Sequence, residues 1–328
     1  MVAYSVGPMP GLSLIDAASV IAGETGDHRS IPQLPQRGIG SDAIGRTASL
    51  FEGLQVSRGP RSWRMDARPQ IASRRILDRT ERDLDELESC WGTGVGGVIK
   101  EQIVGPWSLA ASIELSNGQL LLRDSGAMRD LSASLHEGIT RHIAELRRRY
   151  YASVWLQIDE PLLAPILRGT LTPATTLDPI PAIHRDELTP ALAALGSSAD
   201  RRILHVPSLS PDQIRVGMHL DTILSAATGW DTSTKDALAE SIEQGTSLGL
   251  RLVRSTDHVD ELGECPRARA QEAAALIDEL ALPRHVLVDS VDIAPAEDLS
   301  RGDLLSAARA LKTARVVSEM LSRDAGDL

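Results

Sequence analysis

Cysteine is scarce in this chain of 328 residues, which has only Cys90 and Cys265, far apart and without a C-x-x-C spacing. This pattern excludes a disulfide framework and a cysteine-rich zinc module, and it favours a reducing compartment. No apolar run approaches the roughly 18 residues that a membrane span needs. The N-terminus also lacks the basic segment and apolar core of a signal peptide. We therefore expect a cytoplasmic protein without a membrane partner.

Clustered basic charge is also scarce. Acidic residues outnumber basic ones by 45 to 34, and the formal net charge is −11 at pH 7. Phosphate backbones bind to basic protein faces, so this balance argues against a nucleic-acid partner. The basic run at residues 147–149 ends a predicted helix, where cations interact favourably with the helix dipole.

Glycine motifs that bind nucleotide phosphates are missing, because residues 7–11 read Gly-Pro-Met-Pro-Gly and no P-loop pattern occurs. Short apolar runs instead alternate with helical patterns, which is typical of a parallel sheet. We predict strands at residues 3–7, 53–58, 98–105, 153–159, 201–207, 216–221, 248–254 and 285–291. We predict helices at residues 12–22, 72–90, 126–149, 188–195, 233–245, 267–281 and 302–322.

Eight strands in this alternation predict an α/β fold of the closed (β/α)₈ TIM-barrel type, with residues 1–328 forming one domain. The irregular segments 24–46 and 168–187 are long loops in this scheme. In such barrels, long loops at the C-terminal face build the site. We therefore expect the functional residues at the carboxyl ends of the strands.

The strongest local feature is the run from Trp155 to Pro161, which reads Trp-Leu-Gln-Ile-Asp-Glu-Pro. Alternation along a strand places Gln157 and Asp159 on one face and Glu160 on the other. Two carboxylates at the carboxyl end of a strand are candidates for ligand contacts at the mouth of the barrel. They are equally suited to capping the following helix, where negative charge is favourable.

A lysine occurs inside a strand that should be buried on both faces. We expect Lys100 and Gln102 to point into the barrel and Glu101 to face the helices. A buried lysine needs a partner. The sequence leaves open whether Lys100 forms an internal pair with a carboxylate or has a functional role.

Three further polar side chains lie at predicted strand ends. His205 follows two apolar residues at the end of its strand, and a lone histidine of this kind is more often structural than a ligand. Asp221 and Asp292 end later predicted strands. In a closed barrel these three side chains would converge on the rim and form a candidate metal or polar-ligand site.

Four segments in a fixed order resemble the cobalamin-independent methionine synthase family. They are the Gly-Pro turn at 7–11, the run from Lys100 to Trp107, the Gln157–Pro161 run and the Leu204-His205 pair. The resemblance covers nearly the whole chain and is to the short members, which comprise only the C-terminal catalytic barrel. It implies the barrel fold shared with uroporphyrinogen decarboxylase and methyl transfer to the thiol of homocysteine. It also implies a zinc ion that holds this thiol as a thiolate.

The resemblance assigns substrate-binding roles to three residues. Gly7 lies at the exit of the first strand, where the family binds the amino-acid part of homocysteine through backbone groups. Asp159 matches the aspartate that binds the substrate amino group, and Glu160 lies beside it. Pro8 departs from the family pattern, because it removes a hydroxyl and an N–H donor. No residue of this chain is assigned a catalytic role.

The zinc ligands of the family match this chain only in part. His205, Asp221 and Asp292 fall on ligand positions, but Pro207 and Asp292 stand where the family has cysteines. Thiolate ligands suit zinc, and a site of one histidine and two carboxylates would suit another divalent metal instead. The metal site is therefore degenerate.

Two functions follow from this resemblance. The first is a methionine synthase-like enzyme of methionine biosynthesis, of the 5-methyltetrahydropteroyltriglutamate–homocysteine S-methyltransferase type. Its acceptor would be a homocysteine-like thiol, and its methyl donor a methyl-folate or a methyl-corrinoid protein. The alternative is a catalytically silent barrel that binds a small ligand or a partner, since fold alone does not decide function. The decarboxylase chemistry of the related porphyrin enzymes needs an arginine-rich pocket, whose spacing is not found here.

Overall fold

The computed structural model describes residues 2–59, 62–68, 70–172 and 179–326. Its strands are β1 His28–Ser30, β2 Gln55–Arg58, β3 Trp63–Asp66, β4 Val98–Val104, β5 Ile113–Glu114, β6 Ser153–Asp159, β7 Arg201–His205, β8 Thr222–Ala226, β9 Ser247–Val253 and β10 Val291–Pro295. Its helices are α1 Leu14–Thr25, α2 Ala43–Ala48, α3 Ile71–Trp91, α4 Pro106–Ala110, α5 Ser125–Tyr150, α6 Leu163–Arg168, α7 Arg185–Ala194, α8 Pro211–Gly217, α9 Thr232–Glu243, α10 Glu264–Glu279, α11 Val286–Asp289 and α12 Leu304–Asp324.

The main sheet has seven strands in the order β1-β4-β6-β7-β8-β9-β10, and every neighbouring pair is parallel. Parallel strands place their carboxyl ends at one end of the sheet. The register there pairs Val104 with Asp159, and Asp159 with His205. The sheet therefore brings the ends of β4, β6 and β7 together, as the sequence predicts.

The N-terminal segment, residues 2–9, contacts both edge strands of this sheet. Ala3 forms a parallel bridge with Ile293 of β10, and the Tyr4 N–H donates to the Ile293 carbonyl at 3.3 Å. Pro8 forms a parallel bridge with Gln33, just beyond β1. Because one segment touches both edges, the sheet must curl. The predicted strand at 3–7 is thus reduced to isolated bridges.

Two strand predictions are wrong, and a third predicted strand forms in a different sheet. The run at 53–58 contributes β2, but β2 pairs with β3 in a separate three-stranded sheet. The runs at 216–221 and 285–291 fall on the ends of α8 and on α11, and the true strands β8 and β10 begin later. Short apolar runs do not distinguish a strand from a short buried helix, which explains both errors. The three-residue β1 has the polar sequence His-Arg-Ser and carries no periodic signal.

All seven predicted helices are confirmed, with shifts of a few residues at their ends. The clearest is α5, which begins after Asp124, whose side chain accepts hydrogen bonds from the N–H groups of Gly126 and Ala127. Such N-capping satisfies donors that have no partner inside the helix. The apolar stripe of α5, which runs from Leu131 to Leu146, is fully buried. None of the helices in the described part of the chain has the length and apolar character of a membrane crossing.

The two faces of the main sheet differ in chemistry. In β6, Val154, Leu156 and Ile158 join the large apolar core on the helix-covered face. The intervening positions face inward, where Trp155 packs against a small apolar cluster and Gln157 and Asp159 lie closer to the carboxyl end. The interior is therefore apolar at one level and polar towards the carboxyl ends of the strands.

Candidate functional site

Three side chains from β6, β7 and β9 form a hydrogen-bonded chain at the carboxyl end of the sheet. The Nδ1 atom of His205 lies 2.8 Å from Oδ1 of Asp159. The Nε2 atom of His205 lies 3.1 Å from Nη1 of Arg251. Neighbouring parallel strands supply Asp159 and His205, and Arg251 reaches them from two strands further along. This Asp159–His205–Arg251 chain is the centre of the candidate site.

The hydrogen-bond partners of the imidazole favour one tautomer of its neutral form. A guanidinium group has donors and no acceptor, so Nε2 of His205 must accept the hydrogen bond from Arg251. The proton of the neutral ring then lies on Nδ1, which donates to Asp159. In this arrangement the guanidinium of Arg251 engages the Nε2 lone pair of the neutral ring.

A cavity of about 200 Å³ opens beside this chain. It is lined by Val6, Pro8, Asp159, His205, Arg251, Glu297, Asp298 and Leu299. Its volume is below the roughly 300–1,000 Å³ of pockets for drug-sized ligands, so it suits a small metabolite. A second cavity of about 510 Å³ adjoins it and shares Arg251 and the segment 297–299 in its lining.

Arg251 is a partly buried cation without a carboxylate partner. Within the described residues its guanidinium makes no ion pair; it donates instead to His205 and to the backbone carbonyls of Pro295 and Ala296. Burial lowers the pKa of this guanidinium, and the nearby carboxylates Asp159 and Asp298 oppose that shift. Neither carboxylate is bonded to the guanidinium, and its three hydrogen-bond acceptors are neutral groups. The geometry therefore offers this group to an anionic ligand.

The carboxylate of Asp159 is only partly used. Its Oδ1 atom accepts from His205 and, at 2.6 Å, from Nε2 of Gln157. No hydrogen bond to its Oδ2 atom occurs among the residues that the structure describes. Since Asp159 also lines the cavity, this second oxygen can accept from a ligand. The role that the family resemblance implies for it, binding of a substrate amino group, stays a prediction.

Gly7 lies next to the cavity lining in a backbone conformation that favours glycine. Its φ is +127°, and a Cβ at this position would lie 2.6 Å from the side chain of Gln102. Its neighbours Val6 and Pro8 line the cavity, and the Val6 carbonyl accepts from Gln157 at 2.9 Å. Glycine is thus required for the close approach of this segment to β4, and its role in substrate binding stays a prediction.

Glu160 does not line the cavity and instead supports the start of α4. It is fully buried, and its carboxylate accepts from the N–H of Trp107 at 3.0 Å and the N–H of Ser108 at 2.8 Å. The Ser108 hydroxyl donates to it as well, at 2.6 Å. Burial raises the pKa of this carboxyl to about 7, against the opposing effect of these hydrogen bonds. Glu160 therefore caps α4, the helix after β4, and is not reachable by a substrate in this structure.

The structure does not assemble the predicted trio of His205, Asp221 and Asp292. Asp221 precedes β8, is exposed, and accepts from the Arg202 N–H at 2.7 Å. Asp292 is the second residue of β10, and its carboxylate binds the Val2 N–H and lies 2.9 Å from Nη2 of Arg201. Asp221 lies just before β8 and Asp292 near the start of β10, because both strands begin later than the sequence predicts.

No group of three His, Cys, Asp or Glu side chains in the described part of the chain has the arrangement of a metal site. At the carboxyl ends of the strands, the Nε2 atom of His205 faces the Arg251 guanidinium. A cation at this distance occupies the direction in which the ring would coordinate a metal ion. The ring nitrogen of His205 that the resemblance implies as a zinc ligand thus contacts Arg251 instead.

Lys100 lies deeper in the interior, beneath this chain. It is 1% exposed, and its Nζ atom donates to Oε1 of Gln157 at 2.8 Å and lies 5.4 Å from the centre of the Tyr4 ring. Gln157 in turn donates to Asp159. The sequence leaves open whether Lys100 pairs with a carboxylate or has a functional role. Among the described residues, Lys100 does not pair directly with a carboxylate. A glutamine connects Lys100 to Asp159, while Glu101 faces the helices as expected and binds His142 at 3.0 Å.

We expect Lys100 to make the stability of the protein depend on pH in the alkaline range. Burial lowers the pKa of Lys100 from near 10.5 to about 8. Between these values the unfolded chain holds a proton that the folded protein has lost, so the free energy of unfolding rises with pH. The rise should reach about 3 kcal/mol and be absent in Lys100→Met. Urea unfolding of both proteins between pH 7.5 and 10.5 measures it.

The exposed Lys312 provides the matched control for this experiment. Lys312→Met should follow the wild-type pH dependence throughout. Parallel curves for the wild type and Lys100→Met would contradict the depressed pKa of the buried lysine.

Sequence reasoning missed Arg251, although a signal for it exists. The strand Ser-Leu-Gly-Leu-Arg-Leu-Val is apolar except for this residue, and period two places Gly249 and Arg251 on the same face. A charged side chain near the carboxyl end of an otherwise apolar central strand indicates a ligand contact. The site therefore contains His205 from the predicted metal-binding trio, Asp159 from the predicted pair of carboxylates, and Arg251, which was not predicted.

Comparison with known proteins shows likeness at the level of structure. No family model matches the chain, and no curated protein matches its sequence. A B12-independent methionine synthase from Shewanella sp. W3-18-1, in complex with selenomethionine, aligns with a TM-score of 0.62 and 11% identity over 100% of this chain and 99% of that one. A methyltransferase from Methanosarcina mazei aligns with a TM-score of 0.51 and 13% identity over 95% and 93%. At such low identities these likenesses show that the chain has a methionine synthase-like fold.

Proposed function

We propose that the protein is a methionine synthase-like methyltransferase that binds a homocysteine-like amino acid in the cavity beside Arg251. It transfers a methyl group to the sulfur of that amino acid. The observation that carries the proposal is the partly buried guanidinium of Arg251, which forms no ion pair with a carboxylate of the described residues. It lies near the carboxylate of Asp159, of which only the Oδ1 atom accepts hydrogen bonds. A zwitterionic amino acid supplies a carboxylate for the first group and an ammonium for the second.

The size and charge of the cavity support this ligand class. A guanidinium binds a carboxylate through two parallel hydrogen bonds, which fixes its orientation. The Oδ2 atom of Asp159 accepts from the ammonium group. The cavity of about 200 Å³ has room for a small side chain between these two contacts. The structural neighbour from Shewanella, which holds selenomethionine, is consistent with a sulfur-containing or selenium-containing amino acid at this place.

The residues present do not fit the zinc ion that the family resemblance implies. The ring nitrogen of His205 that would bind the metal accepts from Arg251, and the two aspartates of the expected set lie elsewhere. We therefore propose that this protein handles its thiol substrate without a bound metal. The adjoining cavity of about 510 Å³ is the place for the methyl donor, a methyl-folate or the methyl group of a corrinoid protein.

We also propose that the N-terminal segment, residues 2–9, acts as the eighth strand and closes the sheet into a barrel. Its bridges to β10 on one side and to the segment after β1 on the other support this interpretation. Both cysteines are free thiols, which is consistent with a cytoplasmic location.

One observation favours the second candidate function, a silent barrel that only binds a small ligand. The Nε2 lone pair of His205 is engaged by Arg251, so in this state the imidazole is not available as a base. Measurement of methyl transfer separates the two functions. Formation of methionine from homocysteine with either donor supports the enzyme, and ligand binding without turnover supports the silent barrel.

Titration calorimetry with L-methionine and L-homocysteine tests the binding site. Both should bind, and Arg251→Met should weaken them by about 10- to 100-fold, because a hydrogen-bonded contact to a charged group is lost. Arg309→Met, which removes an exposed arginine of α12, is the control and should bind as the wild type does. Absence of binding by both amino acids would contradict the proposed function.

A further inference from the structure

We propose that Arg251 masks His205 in the free protein and releases it when the carboxylate of the ligand binds, so that His205 then accepts the thiol proton. This inference rests on the proposed function, because it assigns roles within the same site. It makes His205 the base of the reaction and Arg251 the residue that links binding to deprotonation.

The first support is that the imidazole has only one usable basic atom. In the neutral tautomer its Nδ1 atom donates to Asp159. Asp159 also accepts from Gln157, which in turn accepts from Lys100. Only Nε2 can accept a proton from a substrate. In the free protein this atom accepts from Arg251 at 3.1 Å, so the base is blocked.

The second support is the way in which Arg251 is anchored. Its Nε and Nη2 atoms donate to the carbonyls of Pro295 and Ala296, at the end of β10. These contacts hold one edge of the guanidinium, and its Nη1 atom points to His205. A hydrogen bond between two ionised groups is stronger than one to a neutral acceptor. A ligand carboxylate in the cavity therefore competes successfully with the imidazole for Nη1.

The third support is the charge around the ring. The ionisable groups near His205 are Asp159 on β6, Arg251 on β9, the segment 297–298 after β10, and Lys100 behind Gln157. When the ligand carboxylate neutralises Arg251, the carboxylate of Asp159 is the group in direct contact with the imidazole. An aspartate in this position stabilises the imidazolium that forms, as in the triads of serine hydrolases.

The proposed step balances as follows. Nε2 of His205 takes the thiol proton, and the sulfur is left as a thiolate. The sulfur electron pair forms the new bond to the methyl carbon, and the bond between this carbon and the donor breaks. The donor keeps the electron pair of the broken bond. If the leaving atom is an amine nitrogen, it takes up the proton held by His205.

Nuclear magnetic resonance of the full chain labelled with ¹⁵N-histidine tests the masking, with the His205 signals assigned from the spectrum of His205→Gln. In the free wild type we expect a proton on Nδ1 and a hydrogen-bonded Nε2. Saturating L-methionine should shift the Nε2 signal to the position that it has in Arg251→Met without ligand. L-methioninamide, which lacks the carboxylate, should leave the signal unchanged.

Ultraviolet difference absorption of L-homocysteine provides the second readout. At pH 7, below the ordinary thiol pKa of about 8.5, the wild type should generate thiolate absorption on binding, and His205→Gln should lose it. If calorimetry shows that methionine binds while the Nε2 signal stays unmoved, the inference is overturned and the proposed function stands. If neither amino acid binds, both are overturned.

Discussion

Replacement of Glu160 by alanine is expected to lower the free energy of unfolding by about 3–5 kcal/mol at pH 6. The substitution removes the acceptor of two backbone N–H groups in the first turn of α4 and of the Ser108 hydroxyl. These donors are buried, so the substitution leaves them without their acceptor. The Ser108 hydroxyl also accepts from the Leu162 N–H, so the loop after β6 loses support together with α4. Small domains are stable by only about 5–15 kcal/mol, so the loss is a large fraction of the total.

Denaturant unfolding of Glu160→Gln controls for size and shape. The amide keeps one acceptor oxygen, and we expect a smaller loss than for alanine. The two proteins should also differ in pH dependence, because the pKa of Glu160 is raised to about 7. Between about pH 4.5 and pH 7 the folded wild type holds a proton that the unfolded chain has lost. Its stability relative to Glu160→Gln should therefore fall as the pH rises through this range. A loss below 1 kcal/mol for Glu160→Ala would show that the cap is dispensable.

Replacement of His205 by glutamine is expected to lower the rate of methyl transfer by about 10²- to 10⁴-fold, the usual contribution of a positioned general base. Glutamine can still donate to Asp159, but it cannot accept the thiol proton. Steady-state rates of methionine formation from homocysteine, at saturating donor, measure the effect. The loss should appear in kcat, because the contacts of the amino-acid ligand are made by Arg251 and Asp159.

The exposed His219, just before β8, is the matched control for this prediction. It lies at the other end of the sheet, and His219→Gln should retain the wild-type rate. A decrease of less than tenfold for His205→Gln, in a protein that still folds, would exclude His205 as the base.

Much of the architecture could be predicted from local patterns, because long amphipathic helices such as α5 carry a strong periodic signal. The run from Trp155 to Asp159 could be placed as well, since alternation and a terminal proline mark the end of a strand. Asp159 and His205 are both expected at the carboxyl ends of strands, and they lie there, 2.8 Å apart.

The remainder depends on information that is not local. The starts of β8 and β10 are preceded by apolar residues in short helical turns, and nothing in these runs marks where the strand begins. Because β8 and β10 begin later than predicted, Asp221 and Asp292 lie at the amino ends of these strands and not beside His205. The predicted trio of His205, Asp221 and Asp292 therefore does not form. The contact between His205 and Arg251 joins residues 46 positions apart, so it becomes visible only when the sheet is assembled.

The bridge between Ala3 and Ile293 has a consequence for how the chain folds during synthesis. Ala3 finds its partner strand only after nearly 300 further residues have been made. Contacts of such long sequence separation form late and slowly, because the chain entropy of a very large loop must be overcome first. We therefore expect the N-terminal segment to attach to the sheet among the last events of folding. Until it attaches, the edge of β10 stays unpaired, and the partly folded chain is prone to aggregation.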